Sequence, residues 1–225
     1  AASDVYKRQV KEAVRMCREH KPMGILFLGG NIQYFHEEFE LVNVPCVLVT
    51  DRADKLGFRN LASVSTDDMA AAEMAVDYLF DHGHRDIAVI GGDMALSSPS
   101  KYRKAGAKRS FIKHGCEFEE ESYAVARFSY ESAYNAMNRM LASKRSITAV
   151  FAMSDVMAVG AMRAIFDAGL RVPEDISVIG FDGTLLADYY NPKIVTVCQG
   201  YEKIARKSID PVSYTHLRAH ETPEH

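Results

Sequence analysis

TAVFAMSDVMAVGAMRAIFDAGLRVPEDISVIGFDG, residues 148–183, decides the fold. An apolar run, ITAVFAMSD (147–155), leads into a helical repeat that Ser154 can cap and that Gly169 ends. A second apolar run, DISVIGFDG (175–183), follows. Apolar strands with little alternation, joined through a helix, are typical of a parallel sheet covered on both faces. The stretch therefore predicts a strand–helix–strand unit of an α/β domain.

The same alternation continues towards the N-terminus. GILFLGG (24–30), NVPCVLVTD (43–51) and DIAVIGGD (86–93) read as further buried strands, and IQYFHEEFELV (32–42) has enough helical periodicity to serve as a crossover helix. A shorter run, YAVARFS (123–129), also reads as a strand. Helical spacing is found over 10–20, from the candidate cap Asp67 to Gly83, from Ser100 to Gly115, and after the candidate cap Ser129. The sequence thus predicts the α/β class, with parallel sheets flanked by helices.

Length and composition limit the function. With 225 residues, of which 48% are hydrophobic, the chain can form one large domain or two small lobes. No run approaches the roughly 18 apolar residues of a membrane span, and the start lacks a secretory signal, so a cytoplasmic location is expected. A net charge of -3 gives no basic face for phosphate contacts, so these residues alone are not expected to bind DNA.

The four cysteines are far apart in the sequence, and no C-x-x-C pair is present. Each lies in or beside an apolar segment, which favours buried free thiols over disulfides or metal ligands. The four are Cys17, Cys46, Cys116 and Cys198.

Both ends of the chain break the periodic pattern. Residues 1–9 and the tail PVSYTHLRAHETPEH (211–225) resemble a non-native leader and a non-native tail. The tail contains His216, His220 and His225, and their irregular spacing makes metal binding a minor alternative.

Ligands of parallel sheets bind beyond the carboxyl ends of the strands, so the loops at those ends are the candidates for ligand binding or catalysis. Neither a G-x-G-x-x-G nor a G-x-x-x-x-G-K-[ST] motif occurs. Ser154 lies at a strand-to-helix turn in the context AMSDV, which favours a helix cap over a hydrolytic nucleophile. His82 and His84 are interpreted as turn residues rather than metal ligands.

Three aspartates, Asp51, Asp155 and Asp182, end predicted strands. They could form a Mg²⁺ site, but carboxylates at such positions also cap helices and accept hydrogen bonds from sugar hydroxyls. The second interpretation is favoured because the chain shows no partnered general base. Arg103 is singled out from the basic stretch 97–110, because it lies early in a helix at the ligand-facing edge and offers a planar fork of donors for diol or carboxylate oxygens. Packing of its aliphatic stem is the alternative role.

Several segments together resemble the lac and gal repressor family of bacterial transcription regulators (LacI/GalR). The block at 148–183 and the later NPKIVTVCQ (191–199) match the family's pattern nearly residue for residue. NVPCVLVTDR, VSTDD, YLFDHGHRDIAVIGG and the R-x-x-G from Arg103 to Gly106 are also similar. The resemblance covers about residues 10–207.

The resemblance implies a two-lobed, periplasmic-binding-protein-like (type I) fold that closes on a small effector, with a sugar as the expected class and no cofactor. It implies a partial N-terminal lobe at 10–66, a C-terminal lobe at 67–198 and a return to the first lobe at 199–210. Arg103 and Asp182 would be the principal hydrogen-bonding residues. The other implied contacts are Ser154 and Asp155 at the cleft, Gln199 by the lobe crossover, and Leu28, Gly29, Thr50 and Thr66 from the other lobe.

The family begins with a helix-turn-helix headpiece, which the sequence does not contain. The chain is therefore expected to be the effector-sensing part of a regulator that is homodimeric at full length, and to reach operator DNA only through that headpiece. It is expected to bind rather than to catalyse. An extracytoplasmic sugar-binding protein of a transporter is the main alternative, and nothing in the sequence favours a third class, a hydrolase or phosphotransferase.

Overall fold

The computed structural model describes residues 2–30, 32–36, 38–53, 56–143 and 145–209. The chain forms two compact units: unit 1 comprises Ala1–Thr66 with Gly200–His225, and unit 2 comprises Asp67–Gln199. The expected non-native tail, with its three histidines, lies outside the described residues, as does Ala1 of the expected leader.

Unit 1 contains a parallel sheet of three strands in the order β1-β2-β3. Its helix α1 precedes the sheet in the chain, and a second helix covers residues 201–209. The elements are α1 (Ala2–His20), β1 (Ile25–Leu28), β2 (Cys46–Val49) and β3 (Leu61–Val64). The predicted strands at 24–30 and 43–51 are confirmed, the helix predicted over 10–20 begins earlier, and β3 was not predicted.

Strand β2 is buried along its whole length because it has apolar neighbours on both faces. Cys46 and Leu48 belong to a cluster that includes apolar residues of α1, whereas Val47 and Val49 pack with Ile204 of the 201–209 helix. Successive residues of a strand point to opposite faces, so this division is the one that a doubly covered sheet requires.

The predicted crossover helix at 32–42 is wrong. Two short 3-10 turns, Ile32–His36 and Phe39–Leu41, replace it, and Glu38 between them has a φ of 63°. Phe35 and Phe39 are both buried, with ring centroids 5.5 Å apart, and Phe39 packs against Phe58 at 4.7 Å. Burial of these rings in one aromatic cluster decides the local path, and the periodicity of the segment reflects that cluster rather than an α-helix.

Unit 2 is a five-stranded parallel sheet in the order β5-β4-β6-β7-β8, which agrees with the predicted α/β class. Its elements are α2 (Asp68–Asp81), β4 (Ile87–Gly91), α3 (Ser98–Lys113), β5 (Tyr123–Val125), α4 (Tyr130–Ala142), β6 (Ala149–Ala152), α5 (Asp155–Asp167), β7 (Ser177–Asp182), α6 (Leu185–Tyr189) and β8 (Val195–Cys198). From β4 the chain goes outward to β5 and then returns to β6 on the other side of β4. Right-handed crossovers therefore place α3 on one face of the sheet and α4 and α5 on the other. The order reverses between β4 and β6, which is where open α/β sheets bind ligands.

Local sequence signals set the helix starts of unit 2. The predicted caps Asp67, Ser129 and Ser154 are confirmed, since each side chain accepts a hydrogen bond from the backbone N–H three residues later. Helix α3 starts earlier than predicted, with Ser97 as its cap and a proline in its first turn. Caps of this kind contribute about 1 kcal/mol each.

Two glycines allow the helices to approach closely in pairs. A Cβ on Gly106 of α3 would lie 2.1 Å from the carbonyl oxygen of Met69 in α2, and a Cβ on Gly160 of α5 would lie 2.3 Å from that of Tyr130 in α4. Helix pairs α2–α3 and α4–α5 therefore pack backbone against backbone at these glycines.

The four cysteines are free thiols, as predicted, but they are not all buried. Cys46 is buried, and this burial raises its pKa to about 12, whereas Cys198 at the end of β8 is exposed. Within the described part of the chain, no helix is both long enough and apolar enough to cross a membrane.

Candidate functional site

The carboxyl edge of the unit 2 sheet carries a buried arginine at the point where the strand order reverses. Arg103, in the second turn of α3, donates from Nε to Oδ1 of Asp68 at 2.7 Å and from Nη1 to the carbonyl oxygen of Met153 at 2.6 Å. Its guanidinium lies 3.7 Å from the ring centroid of Phe181, a favourable cation–π distance. The Nη1 atom is also 3.8 Å from Oδ1 of Asp182. These contacts fix the guanidinium plane and direct one side of it towards Asp182.

Asp182 ends β7 and is the more accessible partner of this cluster. Its side chain is 22% exposed, against 6% for Arg103 and 7% for Asp68. Gln199 donates from Nε2 to Oδ1 of Asp182 at 2.6 Å, and its backbone N–H donates to the carbonyl oxygen of Asp182. A ligand at this edge would therefore meet the Asp182 carboxylate first.

The charge on Asp182 is costly. Burial raises the pKa of this carboxyl to about 6, and the nearby Asp155 and Asp68 carboxylates act in the same direction, while Arg103 and the hydrogen bond from Gln199 oppose them. The ionised form is thus incompletely compensated. It can accept further hydrogen bonds from ligand hydroxyls, beside an arginine that donates.

Ser154 and Asp155 lie at the start of α5, and the structure gives both of them internal partners. Ser154 is buried, and its Oγ accepts from the N–H of Met157 at 3.1 Å, as a capping serine does. Asp155 has no exposed surface and accepts from the hydroxyls of Thr184 and Thr196. Of the residues predicted for unit 2, the structure brings Arg103, Asp182 and Gln199 together: Gln199 is hydrogen-bonded to Asp182, and Arg103 lies 3.8 Å from it as an ion pair. Ser154 and Asp155 are buried beneath the same edge.

The four predicted residues of unit 1 lie at the carboxyl ends of its three parallel strands. Leu28, the last residue of β1, is 75% exposed, and Gly29 after it has a φ of 72°. Thr50 follows β2 with a φ of 71°, a conformation that is uncommon for a residue other than glycine. Its N–H donates to Val64, and Thr66 follows β3. The same edge of the unit 1 sheet thus carries all four.

Asp51, the remaining candidate for a magnesium cluster, also lies in unit 1, where it is buried and accepts from the backbone N–H of Arg52. Within the described ranges, no group of three or more histidine, cysteine, aspartate or glutamate side chains is placed to hold a metal ion.

Two groups at the unit 2 edge were missed by sequence reasoning. Asp68 fixes Arg103 across 35 positions of the sequence, a pairing that has no local signal. Phe128, 45% exposed, packs so closely on Gly92 that a Cβ there would lie 2.8 Å from its ring. The sequence signal for this contact was the Gly91–Gly92 pair at the end of β4, because a glycine at a strand end indicates that another group approaches the backbone closely. Phe128 thus adds an exposed aromatic ring to this edge.

A recess of about 440 Å³ lies at the opposite, amino edge of the unit 2 sheet. Its lining includes Tyr78, His82, His84, Ile179 and Val195 but no aspartate, glutamate or arginine. The recess therefore lacks the hydrogen-bonding pairs found at the carboxyl edge, and we place the candidate site at the carboxyl edge despite the volume of the recess.

His82 and His84 lie in the turn between α2 and β4, as predicted. His82 places Nδ1 2.7 Å from the carbonyl oxygen of Tyr78, and His84 places Nδ1 3.1 Å from Oγ1 of Thr148. Burial, with a smaller effect of His82, lowers the pKa of His84. These contacts give both histidines a role in fixing the turn.

Comparison with known proteins agrees with this architecture. Residues 76–214 match the family described as the periplasmic binding protein-like domain. The chain is 34% identical over 207 residues to the HTH-type transcriptional regulator MalR of Clostridium butyricum, covering 90% of this chain and 61% of that regulator. It is 37% identical over 205 residues to the HTH-type transcriptional repressor PurR of Pasteurella multocida (strain Pm70), covering 89% of this chain and 60% of that repressor.

A solved structure shows the same relationship. A sugar-binding transcriptional regulator of the LacI family from Escherichia coli, complexed with phosphate, matches with a TM-score of 0.77 at 26% identity, covering 90% of this chain and 72% of that one. The chain spans about three fifths of the length of the two curated relatives. The resemblance stated from the sequence is confirmed: the chain belongs to the periplasmic binding protein-like domain family, in the form of a LacI-type effector-binding domain.

Proposed function

We propose that the chain is the effector-binding part of a DNA-binding transcription regulator, and that it acts by binding rather than by catalysis. The single observation that carries the proposal is the Arg103–Asp182 pair, which lies at the sheet edge where the strand order reverses. The relatives support the regulatory role, since each is named as a transcription regulator or repressor and none as a transport protein. DNA contacts would come from the part of the regulator that this chain does not cover.

The chemistry of the edge favours a neutral, hydroxyl-rich effector, and a sugar is the class we propose. Arg103 offers donors and Asp182 offers acceptors, and because Arg103 is already paired with Asp68, the edge has no surplus positive charge that would favour a strong anion. Phe128 supplies an exposed ring on which the apolar face of a sugar can pack. The solved relative from Escherichia coli is described as sugar-binding.

Binding would regulate DNA affinity through linkage. An effector shifts the equilibrium between two states of a regulator only as far as it binds one of them more tightly. We propose that the complete regulator is a cytoplasmic homodimer. The proposed role of Asp182 is to make hydrogen bonds that are formed in one of the two states and weakened in the other.

The test is a thermal-shift screen of the full-length regulator against D-glucose, D-galactose, D-ribose, maltose, cellobiose, adenine and guanine, followed by calorimetry on each compound that raises Tm. Asp182→Ala should abolish binding while the fold survives. Asp188→Ala is the matched control, because Asp188 is an exposed aspartate of the same unit whose ion pair with Lys193 lies at the surface. Unchanged affinity in Asp182→Ala would contradict the assignment, and so would turnover of a ligand that this substitution destroys.

A further inference from the structure

Asp155 is a carboxylate whose contacts differ from those of an effector-binding group. It has no exposed surface, and both oxygens are engaged by donors of this chain. Oδ2 accepts from the backbone N–H and from the hydroxyl of Thr184, each at 2.7 Å, and Oδ1 accepts from the hydroxyl of Thr196 at 2.5 Å. Three donors occupy the buried oxygens, so Asp155 has its hydrogen bonds within the chain and is out of reach of a ligand.

These donors come from the segments on either side of the Asp182 carboxylate. Thr184 follows Asp182 by two residues, while Thr196 lies in β8, next to β7 in the sheet. The Thr196 hydroxyl also accepts from the N–H of Gly183 at 3.3 Å. Asp155, the first residue of α5, thus connects the start of that helix to the 182–184 backbone and to β8.

The 182–184 backbone needs such an anchor because its conformation is unfavourable. Asp182 has a φ of 122° and Gly183 a φ of 73°. A Cβ on Gly183 would lie 2.7 Å from Cα of Cys198, so the chain passes too close to β8 for any larger residue. A non-glycine residue at positive φ costs about 1–3 kcal/mol and persists only where its surroundings impose it.

We propose that Asp155 is a positioning residue of the effector site: it holds the 182–184 backbone so that the Asp182 carboxylate faces Arg103, and it does not itself contact the effector. That this is an effector site rests on the proposed function, whereas the role of Asp155 rests on its hydrogen bonds and on the conformation of the 182–184 backbone.

The anchor also sets the electrostatic environment of Asp182. Groups from three helices and one loop act on that carboxyl: Arg103 of α3, Asp68 of α2, Asp155 of α5, and Gln199 in the loop after β8. Removal of Asp155 eliminates a neighbouring negative charge and frees the loop to become hydrated. Both changes favour the ionised form of Asp182, so its pKa should fall towards the ordinary value.

The test is a side-chain carboxyl ¹³C NMR titration of the full chain, in which Asp182 is assigned by its loss in Asp182→Asn. In Asp155→Ala, the Asp182 midpoint should move from about 6 towards 3.8. Thr184→Val, which deletes one hydroxyl donor at nearly constant volume but keeps the Asp155 charge, should move the midpoint by less than Asp155→Ala does, and Thr184→Ser should restore the original midpoint. Thr148→Val is the matched control, because it removes a hydroxyl hydrogen bond at the amino edge of the same sheet.

An Asp182 midpoint that stays at the original value in both Asp155→Ala and Thr184→Val would overturn the proposal. If Asp155→Ala does not fold, the Asp182 midpoints of Thr184→Val and Thr184→Ser are sufficient to test the proposal. Thr148→Val is expected to lower Tm without moving the midpoint, which separates positioning from a general loss of stability.

A second readout is calorimetry with each sugar or nucleobase of the panel above that binds the original protein. Asp155→Ala should weaken that binding about tenfold or more, a loss of roughly 1.4 kcal/mol, whereas a purely structural role would lower Tm and leave Kd unchanged. If no member of the panel binds, the proposed function is contradicted. The titration needs no effector and still decides the role of Asp155.

Discussion

Replacement of Asp182 by asparagine should make the protein more stable at neutral pH, although it removes a residue of the proposed site. Asparagine has the shape of the protonated carboxyl group and can accept the hydrogen bond that Gln199 donates at 2.6 Å. It lacks the charge whose burial raises the pKa of Asp182 to about 6. The substitution therefore removes the cost of keeping an ion at this position.

The magnitude follows from the pKa. In the folded protein Asp182 has a pKa of about 6, against an ordinary value of 3.8, and one pKa unit corresponds to about 1.36 kcal/mol. Because the folded state binds this proton more tightly, the contribution of the group to stability is fully present below pH 3.8 and is lost as the pH rises to about 6. At pH 7 the ionised side chain thus costs about 3 kcal/mol, which asparagine avoids. For a chain of this length, that gain corresponds to a rise in Tm of roughly 6–12 °C.

The assay is thermal and urea denaturation of the original protein and Asp182→Asn at pH 7 and at pH 4. The gain should be present at pH 7 and nearly absent at pH 4, where the original side chain is largely protonated in the folded state. Asp188→Asn serves as the control, because that carboxylate is exposed and pairs with Lys193 at the surface, so its loss should change stability by less than about 0.5 kcal/mol. An Asp182→Asn protein that is no more stable at pH 7, or equally stabilised at both pH values, would refute the reasoning.

Three further substitutions test the packing and the site. Gly106→Ala should destabilise the protein by about 1–3 kcal/mol or more, because its Cβ would lie 2.1 Å from the Met69 carbonyl oxygen, and a urea midpoint like that of the original protein would contradict the close contact of α2 and α3. Asp67→Ala should cost about 1 kcal/mol through loss of the α2 cap, measured by urea denaturation, whereas Asp67→Asn should restore most of it. Arg103→Lys should lower Tm and abolish effector binding in calorimetry, since an ammonium group cannot reproduce the fork that reaches both Asp68 and the Met153 carbonyl oxygen; retained affinity would show that charge alone suffices.

Sequence reasoning was accurate where the signal is local. The caps Asp67, Ser129 and Ser154 act within one helical turn, so residue type and position are sufficient to find them. The fold of segment 32–42 could not be predicted in this way, because burial of Phe35 and Phe39 in a cluster with Phe27 and Phe58 is a tertiary property. Periodicity reports which residues are buried, but it does not distinguish an α-helix from two short turns that bury the same rings.

For the candidate site, too, some residues could be predicted from the sequence and others could not. The sequence marked Arg103, Asp182 and Gln199, and the structure joins them. Their supporting contacts could not be predicted, because Asp68 lies 35 positions from Arg103, and Thr196 lies 41 positions from Asp155. Pairings of this length depend on the strand order, which is fixed by the whole sheet rather than by any motif.

Asp155 and Asp182 show how one residue type takes two roles at one sheet edge. Asp155 is fully buried but has three donors, two of them at 2.7 Å, whereas the guanidinium of Arg103 is 3.8 Å from Asp182 and Gln199 supplies one hydrogen bond to its side chain. The difference in the number of close donors leaves Asp182 with an uncompensated cost of about 3 kcal/mol at pH 7. Hydroxyl groups of an effector would provide the donors that this carboxylate lacks, so the site would bind by relieving a cost that the fold itself creates. Asp155 must therefore receive its hydrogen bonds from the protein, whereas Asp182 must leave part of its hydrogen-bonding capacity for the effector. Substitutions that supply Asp182 with further donors from within the chain should weaken binding.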